Sequence, residues 1–181
     1  MPILGIIASQ DYNRVTNSYE SIATTTVGGG GSATITFSSI PATYTHLQIR
    51  YINTTSTVNQ NLIFRFNSDT GSNYAWHRLL GTGAAVSADA TAPSTNYIGI
   101  GRSGYDATSF AAGVFDLLDY TNTNKYKTAR SLYGTDANGN GFIFLGSGLW
   151  LSTSAVSTIT IESVSGNFNQ YSQFALYGIK S

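Results

Sequence analysis

Between residues 33 and 67 the chain repeats one pattern three times, and few folds can accept it. Apolar side chains fall on every second position: Ala33, Ile35 and Phe37, then Leu47, Ile49 and Tyr51, then Leu62, Phe64 and Phe66. His46, Gln48 and Arg50 alternate with the second set, and Arg65 with the third. Successive side chains of a strand point to opposite faces, whereas a helix would space its apolar stripe by three and four. Each run therefore reads as a half-buried strand with one face on a core. Turn-forming residues such as Ser38, Ser39, Pro41 and Asn59 separate the runs, which commits the region to antiparallel sheet.

The remainder continues in the same style. Further strands are expected near 19–27, 74–80, 97–101, 112–118, 126–134, 142–145, 148–151, 156–161 and 173–180, with a long surface loop over 81–94. About ten short strands with glycine-rich turns, and no helical stripe of three turns, predict an all-β antiparallel sandwich, jelly-roll-like in winding. Residues 1–18 read as an apolar arm and connector, and 19–181 as a single sandwich domain. The chain has 181 residues, enough to bury about 70% of its unfolded surface. The four glycines at 28–31 are expected to form a hairpin loop; a phosphate-cradling loop would need a Lys-Ser/Thr sequel and a helix after it.

Charge is scarce. Only 10% of residues are Asp, Glu, Lys or Arg, against about 25% in an ordinary domain. Nine basic and nine acidic side chains cancel, so no nucleic-acid partner is expected. A surface this quiet suits fixed neighbours better than steering of a charged ligand. The chain has no cysteine, which excludes disulfides and thiol catalysis. Pro2, Ile3, Leu4, Ile6 and Ile7 make the start apolar, but the run is far shorter than the ~20 residues of a membrane span. It lacks a basic flank, and the retained Met1 argues against a cleaved signal peptide, so no membrane partner is expected. The arm reads instead as a tether to another protein.

Candidate chemistry is thin, and no cofactor or metal is expected. Asp136, Asn138, Asn140 and Gly141 match the first half of a calcium loop, but its twelfth position, which needs Glu, is Ser147. The same residues suit a tight turn between strands, which is the preferred reading. Asp116 and Asp119 are three apart, on opposite faces if both lie in one strand, so they do not converge as an acid/base pair. One is expected to start a turn and the other to be solvent-facing or ion-paired. His46 and His77 are the only histidines and have no spaced carboxylates from which a zinc site or triad could be traced. No G-x-S-x-G elbow is present. Asn53, Thr54 and Thr55 form a glycosylation sequon, which carries meaning only on a eukaryotic secretory route.

Aromatic residues are the stronger signal. Tyr74, Trp76, Tyr97, Tyr105, Tyr126, Tyr133, Trp150 and Tyr171 exceed what a core of this size is expected to need. Trp150 and several tyrosines belong to that core. Of the rest, Tyr74, Trp76 and Tyr105 are the candidates for contact with a partner, with protein favoured over sugar rings.

Several blocks, read together, resemble a family of small structural proteins of tailed-bacteriophage virions. They lie at 1–9, at 35–50 (Ile35-Thr-Phe-Ser-Ser-Ile-Pro-Ala-Thr-Tyr-Thr-His-Leu-Gln-Ile-Arg50), at 63–74, at 119–125, at 148–150 and at 169–180. The likeness spans nearly the whole domain and brings no catalytic residues with it. It implies a non-enzymatic capsid decoration (cement) protein on the virion surface. Its partners would be the major capsid protein or another virion protein, and copies of itself in a homotrimer. The alternative it leaves open is a tail-fibre or receptor-binding tip that recognises host glycans. A glycan-processing enzyme is the remaining rival, and only nine acids exist to supply its carboxylates.

Overall fold

A computed structural model describes residues 18–91 and 94–180. Twelve antiparallel strands form two packed sheets, β1 (Tyr19–Thr26), β2 (Thr34–Phe37), β3 (His46–Asn53), β4 (Asn61–Phe66), β5 (Tyr74–Gly81), β6 (Val86–Ala90), β7 (Ile98–Arg102), β8 (Ala111–Leu118), β9 (Lys127–Ala137), β10 (Asn140–Trp150), β11 (Ile159–Ser163) and β12 (Gln173–Ile179). The larger sheet runs β1-β12-β3-β8-β9-β10-β5-β6 and the smaller β2-β11-β4-β7. With the hairpins β5–β6 and β9–β10 set aside, eight strands remain. In chain order their sheets read 1-8-3-6 and 2-7-4-5, the double Greek-key winding of a jelly roll. Both hairpins add to the same edge of the first sheet and double its width, with β10 pairing to β5 from Ile143↔Gly81 to Trp150↔Tyr74.

Period two in the sequence becomes the core directly. Ile35, Phe37, Leu47, Ile49, Leu62, Phe64 and Phe66 are all buried between the sheets, while Arg50 faces out and Ala33 is exposed. The three diagnostic strands do not pair with one another, however. β2 and β4 flank β11 in the small sheet, and β3 lies between β12 and β8 in the large one. For the same reason glycines 28–31 form a crossing between sheets rather than a hairpin. The turn is real: the Gly31 N–H donates to the Gly28 carbonyl at 3.0 Å, with Gly31 at φ +69°.

Rings fill the space between the sheets. Phe64 stacks on Phe115 at 4.2 Å, Tyr133 on Phe144 at 4.8 Å, and Phe66 meets Trp150 edge-on at 5.6 Å. Such pairs add about 0.5–1.5 kcal/mol beyond the area they bury. Where β7 crosses β10 the sheets approach more closely, because Gly146 and Gly148 lie beneath Ile98 and Ile100. A Cβ on Gly146 would sit 2.7 Å from Ile100 Cβ.

Two expectations need correction here. Residues 81–94 are not simply a loop, since they contain β6, paired to β5 from His77↔Ala90 to Gly81↔Val86. Residues 142–145 and 148–151 are not two strands but parts of the single strand β10, which runs unbroken through both glycines.

Candidate functional site

The outer face of the large sheet is built from the residues that alternate with the core. On β10, Phe142, Phe144, Gly146, Gly148 and Trp150 point inward, which turns Ile143 and Leu145 outward. Leu145 stands between Leu79 of β5 and Leu132 of β9. Leu79 in turn is opposite Ala88 of β6, and Leu132 is opposite Val114 of β8. One row across five strands is therefore Ala88-Leu79-Leu145-Leu132-Val114. The next row holds Val86, Gly81, Ile143, Gly134 and Ala112, and continues to Ile52 on β3.

These residues are open to water. Leu79 is 50% exposed, Leu132 53%, Ile143 58%, Leu145 59% and Val86 76%. Soluble surfaces carry scattered apolar residues, but a contiguous patch over several strands marks a contact site. Covering the exposed half of each such side chain would contribute about 1 kcal/mol per residue. Polar groups border it along the next row: His77, Ser147, Arg130 and Asp116 stand side by side across β5, β10, β9 and β8. A shallow concavity of ≈ 700 Å³ opens there, lined by His77, Leu79, Ala88, Arg130 and Leu145 among others.

The structure redistributes the residues singled out from sequence. Tyr74 and Trp76 are core residues, 0% and 6% exposed, and cannot be presented to a partner. Both lie on the inward phase of β5. The Tyr74 hydroxyl donates to the Asp69 carbonyl at 3.1 Å and accepts from the Phe66 N–H at 3.1 Å, and its ring stacks on Trp150 at 6.2 Å. Burial pushes the Tyr74 phenol up to about 12. Trp76 lies under the Arg78 guanidinium at 4.8 Å. Tyr105 is half-buried at the end of the sandwich, Tyr97 is half-buried, and Tyr126 and Tyr171 are exposed. Pro2, Ile3, Leu4, Ile6 and Ile7 fall outside the described residues.

The polar candidates form separate pairs. Asp116 accepts from Gln48 Nε2 at 2.8 Å and from Arg130 Nε at 3.2 Å. Asp119 does not share β8's opposite face; it stands just past the strand, at φ +48°. There it is paired with Lys125, whose ammonium holds its carboxyl below the usual range, and its N–H donates to His46 Nδ1 at 3.0 Å. The two carboxylates thus serve different partners and do not flank a common space. Asn138 and Gly139, at φ +46° and +95°, form the two-residue turn of the β9–β10 hairpin. No group of three or more His, Cys, Asp or Glu gathers among the described residues.

Leu79, Val86, Leu132, Ile143 and Leu145 were not singled out from sequence. One signal was available: Phe142-Ile-Phe-Leu145 is apolar on both phases, so burying Phe142 and Phe144 must present Ile143 and Leu145 on the other face. No protein-family model matches the chain, and no curated protein matches it.

Proposed function

We propose that this chain is a non-enzymatic structural protein of a tailed-phage virion, a capsid decoration protein that cements neighbouring subunits of the head shell. The observation that carries the reading is the outer sheet face, where Leu79, Leu132, Ile143 and Leu145 form an apolar surface on a molecule otherwise poor in charge. The jelly-roll winding supports the reading, since jelly rolls are common among viral capsid domains. The face would join copies into a homotrimer at local three-fold positions, and repeated contacts on a lattice would add avidity to a modest single affinity.

Co-sedimentation of the full chain with empty capsids, together with its mass in solution, tests the proposal. Saturable binding at a fixed ratio to capsid subunits is the expected result. A stable trimer that does not bind capsids would overturn the decoration role and move the reading to a tail-fibre tip.

A further inference from the structure

Four connections meet at one end of the sandwich: β3–β4, β5–β6, β7–β8 and β9–β10. Between them lies a concavity of ≈ 430 Å³, lined by Asn59, Thr82, Arg102, Tyr105 and Asn140 among others, with the β9–β10 hairpin backbone at Gly139 and Gly141. That volume is within the ~300–1,000 Å³ range of small-molecule sites. No acidic residue lines it.

Arg102 is the unusual member. Arg65, Arg78 and Arg130 each have a carboxylate partner, in Glu162, Asp89 and Asp116, and Arg50, which has none, is exposed and donates to Gln48 Oε1. Arg102 has none among the described residues. Its guanidinium lies over Phe142 at 5.0 Å and Phe144 at 5.4 Å, and its Nε donates to the Asn59 carbonyl at 3.2 Å. The two terminal nitrogens make no hydrogen bond to a described residue. Desolvation, and then the nearby Arg78, draw its pKa down, so the cation is held where it lacks compensation. Asn59 contributes a second unmet group: its side-chain Oδ1 is shielded from water and has no partner among the described residues. A half-buried arginine with a free fork, beside an unsatisfied amide, is an incomplete arrangement.

We propose that this loop-end pocket binds an acidic saccharide, with Arg102 taking the carboxylate. A planar guanidinium matches a carboxylate with two parallel hydrogen bonds. Asn140 supplies an exposed amide that can both give and accept hydrogen bonds, as sugar hydroxyls require, and the Thr82 hydroxyl, which bonds Ala85 within its turn, also lines the pocket. Tyr105 supplies ring surface for the apolar face of a pyranose. An acidic peptide would satisfy Arg102 but would leave that hydroxyl-matching wall unused. The inference stands on the pocket alone and holds whether or not the chain is a virion protein.

The test is NMR titration of the full-length ¹⁵N-labelled protein with methyl glucuronide, methyl glucoside and acetate. The first two differ only in the carboxylate. Methyl glucuronide should shift the amides of Thr82, Tyr105, Gly139 and Gly141, with methyl glucoside and acetate each about tenfold weaker or more. Arg102→Gln should abolish the preference for the acid. Asn140→Ala, at an exposed hairpin position, should weaken binding without changing the melting temperature, which keeps the test valid if the Arg102 variant unfolds. Equal binding of methyl glucoside overturns the role of Arg102. Equal binding of acetate overturns the saccharide assignment. Absence of shifts at these four amides overturns the site.

Discussion

Asp106 shows how one side chain can hold a loop. Its carboxylate accepts from the N–H groups of Ser109 at 2.6 Å and Thr108 at 2.8 Å, and from the Thr108 hydroxyl at 2.9 Å. Those donors stabilise the charged form and lower its pKa from 3.8 to about 2, the backbone N–H of Ser109 being the largest cause. A depressed carboxyl pKa means that the folded state binds fewer protons than the unfolded one. Its stabilising contribution is therefore complete above pH 3.8 and disappears as pH falls through about 2. Carboxyl-detected NMR should place the Asp106 midpoint near 2, and Asp106→Asn should flatten the stability profile in that window. A midpoint at the ordinary value would mean that the loop hydrogen bonds do not persist in solution. Gly139 is a second residue whose role is local. At φ +95° with open space where a Cβ would point, its requirement is purely conformational. Gly139→Ala should cost about 1–2 kcal/mol in urea denaturation with no change in packing.

Among the strands, β10 and β6 are the ones sequence pattern serves least well, for opposite reasons. Gly146 and Gly148 look like strand breakers, yet β10 needs them, because β7 leaves no room for a Cβ above either position. Gly146→Ala should destabilise the protein by about 1–3 kcal/mol through overpacking. If crowding is the cause, combining it with Ile100→Ala should be less harmful than the sum of the two single changes. β6 is hidden for a different reason. Val86, Ser87, Ala88, Asp89 and Ala90 are all exposed, so no face of the strand is buried and no alternation is written into it. Among the described residues it is held by the ladder to β5 and the Arg78–Asp89 ion pair at 2.6 Å. By contrast β3 and β4 were legible at once, since each has one face in the core. Tyr74 and Trp76 were misjudged because the aromatic count was weighed against a smaller core than two sheets of eight and four strands enclose. The outer apolar face went unread because a continuous apolar run does not by itself reveal that one of its phases is left uncovered.

For the whole molecule, the reading of the sheet face as an assembly surface makes a direct prediction. Leu79→Lys and Leu145→Lys together place two charges at the centre of that face, opposite each other in register. They should leave the circular dichroism spectrum unchanged while reducing the mass measured by light scattering to that of a monomer. An oligomer that survives both changes is built on another surface. Deleting residues 1–9 separates the arm from the face. The truncated chain should keep its fold and its self-association and lose capsid binding. Normal capsid binding by that variant would rule out the tether role.

The winding of the sheets also sets the order in which this chain can become stable. β12 lies between β1 and β3, and β11 lies between β2 and β4. Among sequence neighbours, only β5–β6, β8–β9 and β9–β10 pair directly. As the chain is synthesised, β8 can pair with β3 and β9 early, but the gap between β1 and β3 and the gap between β2 and β4 stay open until β12 and β11 arrive. Until Gln173–Ile179 emerges, β1 has no neighbour in its sheet and β3 has only β8. Long-range pairings of this kind fold slowly and leave apolar surface waiting. Loss of residues 173–181 should consequently unfold the whole sandwich rather than trim one edge, and ribosome-bound chains lacking that segment should be digested by protease far faster than chains that carry it.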